Sequence, residues 1–479
     1  MVSGWLRSPK LRRGVAVASL VLATGGLVLH RGSSTAAPLA GVSVTLSGGK
    51  NAASFSGPRA KGRLALSHGK VLAGETTRVY AEVDLAALAG SDEVERAPLS
   101  MAVVLDTSGS MSGDKIADAK RSVMQLIREM RDDDELTIVE YSDHARVVEP
   151  LQRVGLARGR LISAVQRLSA GGGTNIPSGL HAALGELAAA SPGRVRRVVL
   201  ASDGLDSSRA QAQALARRSF GEGTTISSLG IGLDFDESYM SSLAVAGHGN
   251  FAFVDDKSSL GTFLSRELRE ASTTTLEAAS VRLHLPSGVR FVAAHGADAR
   301  VGEGTVDLTL GSLFAGDQRR VVVELDVDLE AGDARGLRAE AEWSLARCGS
   351  GECQARVSVP ALGIAGTANA DEVASARDNA VIASAVSVTA SQRQIEAAEA
   401  WSKGDTATAR RIADGNVTAL KSALAAAPAE ERAALADQIK SYEAASGEIA
   451  AAPPASPRAR AAAKSMMQKD VANSARKAF

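Results

Sequence analysis

The segment from Met101 to Met111 constrains the fold of this 479-residue chain more than any other stretch. Met101, Ala102, Val103, Val104 and Leu105 form an unbroken apolar run, the pattern of a strand buried on both faces of a parallel sheet. The run ends in Asp106, Ser108 and Ser110, a carboxylate and two hydroxyls at alternating positions. In an open α/β sheet ligands sit beyond the carboxyl ends of the strands, so these side chains are expected at a binding rim. Oxygen donors of this kind suit Mg²⁺, Mn²⁺ or Ca²⁺ and suit zinc or copper poorly.

Two further segments follow. One is the glycine loop Gly171, Gly172, Gly173 leading to Thr174, and the other is an apolar run from Val198 that ends in Ser202 and Asp203. Each alone reads equally well as an ordinary turn or helix cap. Together and in this order they resemble the von Willebrand factor type A domains. The metal-ion-dependent adhesion site of that family is written Asp-x-Ser-x-Ser, then a Thr, then an Asp. The matching positions are Asp106, Ser108, Ser110, Thr174 and Asp203, with no substitution. The resemblance implies a Mg²⁺-type ion (Mn²⁺ or Ca²⁺ being alternatives) held by Ser108, Ser110 and Thr174. Asp106 and Asp203 would act largely through coordinated water. The stretch from Gly230 to Phe253, including Asp236 and Asn250, also resembles a subset of these domains in exported bacterial proteins. That extends the likeness across 63–272.

The expected fold class is α/β, a doubly wound, mostly parallel sheet over 98–272, flanked by β-sandwich-like segments and followed by a helical region. Helices are predicted over 115–130, 159–168, 179–190, 209–220 and 259–270. Strands are predicted over 135–141, 195–201 and 224–230. On 115–130, Ile116, Ala119, Val123, Leu126, Ile127 and Met130 recur at helical spacing and should face the sheet. Residues 41–97 and 276–362 alternate apolar and polar in short bursts, the mark of antiparallel strands. They are expected to pack together, with the α/β domain inserted between them. An Ala-rich helical region spans 369–450, with helices over 372–387, 391–403, 406–426 and 429–445. Residues 451–479 read as a Pro-containing spacer and a basic, solvated helical tail.

Arg7, Lys10, Arg12 and Arg13 precede the apolar run 14–29, and Ser34 and Ala36 stand where a signal peptidase would cut. Residues 1–36 therefore read as a signal peptide, with an uncleaved N-terminal membrane anchor as the competing reading. The run is shorter than the roughly twenty residues that span a bilayer. An exported protein is expected: periplasmic, cell-surface or secreted. The two cysteines, Cys348 and Cys353, flank a short turn between alternating segments, so a disulfide across a hairpin is expected there, with free thiols as the alternative.

Lys and Arg total 54, as do Asp and Glu, and aromatics are 3%, which argues against nucleic acid as a partner. A Mg²⁺-type ion on neutral hydroxyls keeps an open position that a partner protein's Asp or Glu can fill. Metal-dependent protein–protein binding, in adhesion or assembly, is the expected function. An accessory subunit of a membrane transport or channel-like complex is the alternative. A metal-dependent hydrolase is weaker still, because it would need a base and His144 is the sole rim histidine. No catalytic residue is assigned. Asp114, Asp143 and Asp206 are further rim candidates.

Overall fold

A computed structural model describes residues 51–88, 98–203, 206–232, 235–254, 259–346, 353–451 and 456–475. Residues 1–36, read as a signal peptide, the start of the 41–97 segment, the linker before the α/β domain, Cys348 and most of the Pro-containing spacer lie outside the described residues.

The first strands are β1 (Ala52–Gly57), β2 (Ala60–Leu66), β3 (Lys70–Leu72) and β4 (Thr77–Ala87). The α/β domain follows as β5 (Leu99–Asp106), α1 (Asp114–Glu129), β6 (Glu135–Tyr141), β7 (Ala145–Arg153), α2 (Val154–Gln166), α3 (Ile176–Leu187), β8 (Val195–Ser202), α4 (Arg209–Gly221), β9 (Thr224–Ile231), α5 (Glu237–Ala246), β10 (His248–Val254) and α6 (Ser259–Ser272). Next come β11 (Thr274–His284), β12 (Val289–His295), β13 (Asp298–Gly302), β14 (Thr305–Phe314), β15 (Gln318–Val327), β16 (Ala334–Leu345) and β17 (Gln354–Thr367). The helices α7 (Ala370–Ser375), α8 (Asn379–Ser402), α9 (Thr406–Ala426), α10 (Ala429–Ala451) and α11 (Pro457–Ala475) close the described chain.

The α/β sheet has the order β10-β9-β8-β5-β6-β7, parallel except for the antiparallel edge strand β7. Strand β5 is buried throughout and its side chains alternate between two cores. Ala102 and Val104 face α3 and α5, while Met101, Val103 and Leu105 face α1, α2 and α6. From β5 the chain winds outward through β6 on one side, then returns through β8 to β10 on the other. The order therefore reverses between β5 and β8, which opens a crevice at their carboxyl ends. Helix α1 buries Ala119, Val123, Leu126 and Ile127, and Met130 just past its end is buried with them, so five of the six residues of the predicted stripe face the core. Strand β7 is not anticipated by the sequence pattern. Two register shifts and Pro150 interrupt its alternation, and an edge strand tolerates both.

The remaining strands form two antiparallel-rich sheets, β1-β2-β4-β15-β12 and β13-β14-β11-β16-β17-β3. Each mixes strands from before and after the α/β domain, and the two share one core that includes Phe55, Val83, Val281 and Trp343. Gly57 lets the sheets close up, since a Cβ there would lie 2.7 Å from the Trp343 ring.

Two expectations about the helices need correction. Helix α8 runs unbroken through the break expected at 387–391. Its serines there serve neighbouring helices, Ser387 Oγ donating to Gln438 Oε1 at 2.7 Å and Ser391 Oγ lying 3.1 Å from the Tyr442 hydroxyl. The basic tail is not solvated. Helix α11 buries Ala459, Ala463, Lys464, Met467 and Asp470, and Lys464 Nζ donates to the Phe235 carbonyl at 2.8 Å while lying 3.6 Å from that ring's centre. Among the described residues no helix is long and apolar enough to cross a membrane.

Candidate functional site

The crevice between β5 and β8 is built from the ends of those strands. Asp106, the last residue of β5, is fully buried. Its Oδ1 accepts from the Ser108 backbone N–H at 2.7 Å and its Oδ2 from Ser202 Oγ at 2.7 Å, with the Tyr141 hydroxyl at 3.4 Å. Burial pushes this carboxyl above its ordinary range, while the Ser202 and Ser108 hydrogen bonds pull the other way. Asp106 thus fixes the turn that follows it. Ser108 is extended at φ −60° and ψ 165°, and a single 3₁₀ turn over Gly109–Met111 brings the chain back on itself. That reversal sets Ser108 Oγ 3.0 Å from Ser110 Oγ, and Ser110 Oγ donates to Asp203 Oδ1 at 2.7 Å. Lys115, in the first turn of α1, pairs its ammonium with Asp203 Oδ2.

The glycine loop docks on the same turn. Gly171 N–H donates to the Thr107 carbonyl at 2.7 Å and Gly109 N–H to the Gly172 carbonyl at 3.0 Å. Gly172 has φ +86°, a conformation that favours glycine, and a Cβ on it would lie 2.7 Å from Asp143 Oδ2. Past the loop, Asn175 caps α3 by accepting from the Ser178 N–H at 3.1 Å, and Asp206 Oδ2 accepts from the Ile176 N–H at 2.7 Å. Thr174 is half-buried between these two anchors. Among the described residues no hydrogen bond joins its hydroxyl to the other four positions.

The structure therefore joins Asp106, Ser108, Ser110 and Asp203 through hydrogen bonds, and ties the Thr174 loop to them through backbone. Asp206 anchors the start of α3 and the Asp143 carboxylate lies against the glycine loop, while Asp143, Asp114 and His144 are all exposed. Lys115, Ser202 and Tyr141 are parts of the site that sequence reasoning missed. Ser202 was within reach, since it directly precedes Asp203 on the same strand end. The hairpin expected around the cysteines is present, with Ser344 opposite Gln354 and the Leu345 N–H donating to the Cys353 carbonyl at 2.8 Å.

Residues 100–266 match the family model described as the von Willebrand factor type A domain. This segment is a von Willebrand factor type A domain. An uncharacterized protein of Synechocystis sp. is 28% identical over 254 residues, 50% of this chain and 59% of that protein. The uncharacterized protein YfbK of Escherichia coli K12 is 30% identical over 206 residues, 41% of this chain and 35% of that protein. The chain thus matches less than two thirds of either relative's length. A solved von Willebrand factor type A structure from Catenulispora acidiphila has the same fold, with a TM-score of 0.67 at 20% identity over 91% of this chain and 99% of that one. Domains of this type typically act as protein–protein interaction modules rather than enzymes.

Proposed function

We propose that this is an exported protein whose von Willebrand factor type A domain binds a partner protein through a divalent metal ion, the partner supplying an Asp or Glu. Asp106, Ser108, Ser110, Thr174 and Asp203 would hold the ion, Mg²⁺ being the first choice and Mn²⁺ or Ca²⁺ alternatives. The observation that carries this reading is the run of oxygens from Ser108 through Ser110 to Asp203, spaced 3.0 and 2.7 Å apart at the strand-order reversal. Octahedral Mg²⁺ with bonds of 2.0–2.1 Å has ligand–ligand edges of about 2.9 Å, so the Ser108–Ser110 spacing suits neighbouring ligands on one ion, while the hydrogen bond from Ser110 sets Asp203 beside them to act through coordinated water. The donor set agrees. Among the described residues no group of three or more His, Cys, Asp or Glu converges, so an ion here would rest on hydroxyls and two carboxylates, a hard-oxygen set.

The ion would supply Lewis acidity and an open position for the partner's carboxylate. The chain's own residues do the rest: Asp106 holds the Ser108 turn, and the Gly109–Gly172 hydrogen bond keeps the Thr174 loop against it. Export is supported by the N-terminal charge and apolar pattern, and a Cys348–Cys353 disulfide belongs to the same reading. Membrane attachment through the N-terminal segment would follow if that segment is not cleaved.

Calorimetric titration of Mg²⁺ and Mn²⁺ tests the site. Asp106→Ala should abolish binding, at a stability cost of about 1–3 kcal/mol from the donors it leaves unpaired. Ser110→Ala, at an exposed position, should lose affinity with the fold intact. Unchanged metal binding in folded Ser110→Ala and Asp106→Ala proteins refutes the site. Capture of a partner in Mg²⁺ with release by EDTA tests the bridging role.

A further inference from the structure

The Asp203 carboxylate serves two masters. Its Oδ1 accepts from Ser110 Oγ at 2.7 Å, while its Oδ2 is paired with the ammonium of Lys115. Asp203 is fully buried and the Lys115 side chain is 31% exposed, so the cation reaches in from the rim to a carboxylate that water does not touch. The chain leaves room for this reach. Gly232, at the end of β9 with φ +80°, lies where a Cβ would come within 3.2 Å of Lys115 Cε and 3.4 Å of Nζ. A larger residue at 232 would crowd the lysine as well as strain the backbone.

We propose that Lys115 is a built-in cation that competes with a divalent ion for Asp203 and so sets how tightly the site holds metal. This rests on the metal-site reading above. A carboxylate buried without a counter-charge is costly, so Lys115 stabilises the fold when no divalent ion neutralises Asp203. When an ion binds beside Ser110, two cations face one carboxylate at a few ångströms, and their repulsion weakens binding. A partner's carboxylate arriving at the ion would lie near the same ammonium and relieve that repulsion. The lysine therefore favours loading with ion and acidic partner together over loading with ion alone.

The test compares the full chain with its Lys115→Gln and Lys115→Arg variants, using Mg²⁺ and Mn²⁺ alone as probes. Calorimetry reads affinity, and thermal unfolding in EDTA and in Mg²⁺ reads stability. Lys115→Gln should tighten Mg²⁺ by about tenfold or more, lower the Tm in EDTA and enlarge the rise in Tm that Mg²⁺ produces. Lys115→Arg, which keeps the charge, should stay close to wild type. Metal binding by Lys115→Gln alone, with none by wild type, also supports the competition. If wild type binds Mg²⁺ and Lys115→Gln binds it equally or more weakly, the competition is wrong while the metal site stands. If neither binds a divalent ion, the metal-site reading itself falls, and this proposal with it.

Discussion

Gly172 shows how a single backbone position controls the site. Its carbonyl accepts from Gly109, its φ is +86°, and the Asp143 carboxylate occupies the space a side chain would need. Gly172→Ala should therefore destabilise the domain by about 1–3 kcal/mol and weaken Mg²⁺ binding by shifting the Thr174 loop. Gly185 offers the control. It lies exposed in α3 with nothing within 4 Å of a built Cβ, so Gly185→Ala should stabilise by about 0.5–1 kcal/mol and leave affinity alone. Equal metal affinity in the Gly172→Ala and wild-type proteins would show that the loop does not depend on this contact. At this scale the sequence carries much of the site, because Asp106, Ser108 and Ser110 lie within one turn and their spacing sets their geometry. It conceals the Lys115–Asp203 pair, which depends on a strand end 88 residues away.

Helix α11 is the element whose role the sequence least reveals. Its lysines and arginines suggest a solvated tail, yet Ala459, Ala463, Met467 and Val471 recur every four residues and are buried. That apolar stripe at four-residue spacing is the available signal, and the charge count obscures it. Its docking should respond to pH through Asp470. Burial raises this carboxyl to about 7, against the opposing hydrogen bond from the Tyr442 hydroxyl at 2.5 Å. A carboxyl whose folded value lies above its unfolded one binds protons more tightly in the folded state. Its contribution is therefore complete below about pH 4 and is lost as pH rises through about 7. Wild-type Tm should fall over this interval by more than that of Asp470→Asn, whose amide oxygen still accepts from Tyr442. Parallel Tm profiles for the two proteins from pH 5 to 8 would remove Asp470 as the cause.

At the scale of the whole molecule, the α/β domain is inserted into the sandwich through two adjacent crossings. Ala87, at the end of β4, pairs with Gly316 and Asp317, while the Thr273 carbonyl after α6 accepts from Ala315 at 2.7 Å. Alternating strands and helices announce the α/β domain and apolar–polar alternation announces the sandwich, but only the fold shows how the helices bind them together. Helix α8 packs Ala385 and Val388 against Val322 of the sandwich, and sets Ala398 and Trp401 in the core that holds Leu243 and Met240 of the α/β domain. Polar contacts reinforce this: Ser238 Oγ donates to Glu399 at 2.6 Å, and Arg209 bonds Asp236 at 2.9 Å while lying 3.6 Å from Glu399. The face formed by α5 and β10 is consequently interior, covered by α11 and the end of α8, and exposing it should cost stability in proportion to its apolar area. The segment 98–273 expressed alone should still bind Mg²⁺, because none of the five site residues comes from the helices. It should unfold at a lower temperature than the same domain in the full chain and bind a hydrophobic dye before it melts. Matching Tm values with no dye binding would mean that the helices rest on the domain without stabilising it.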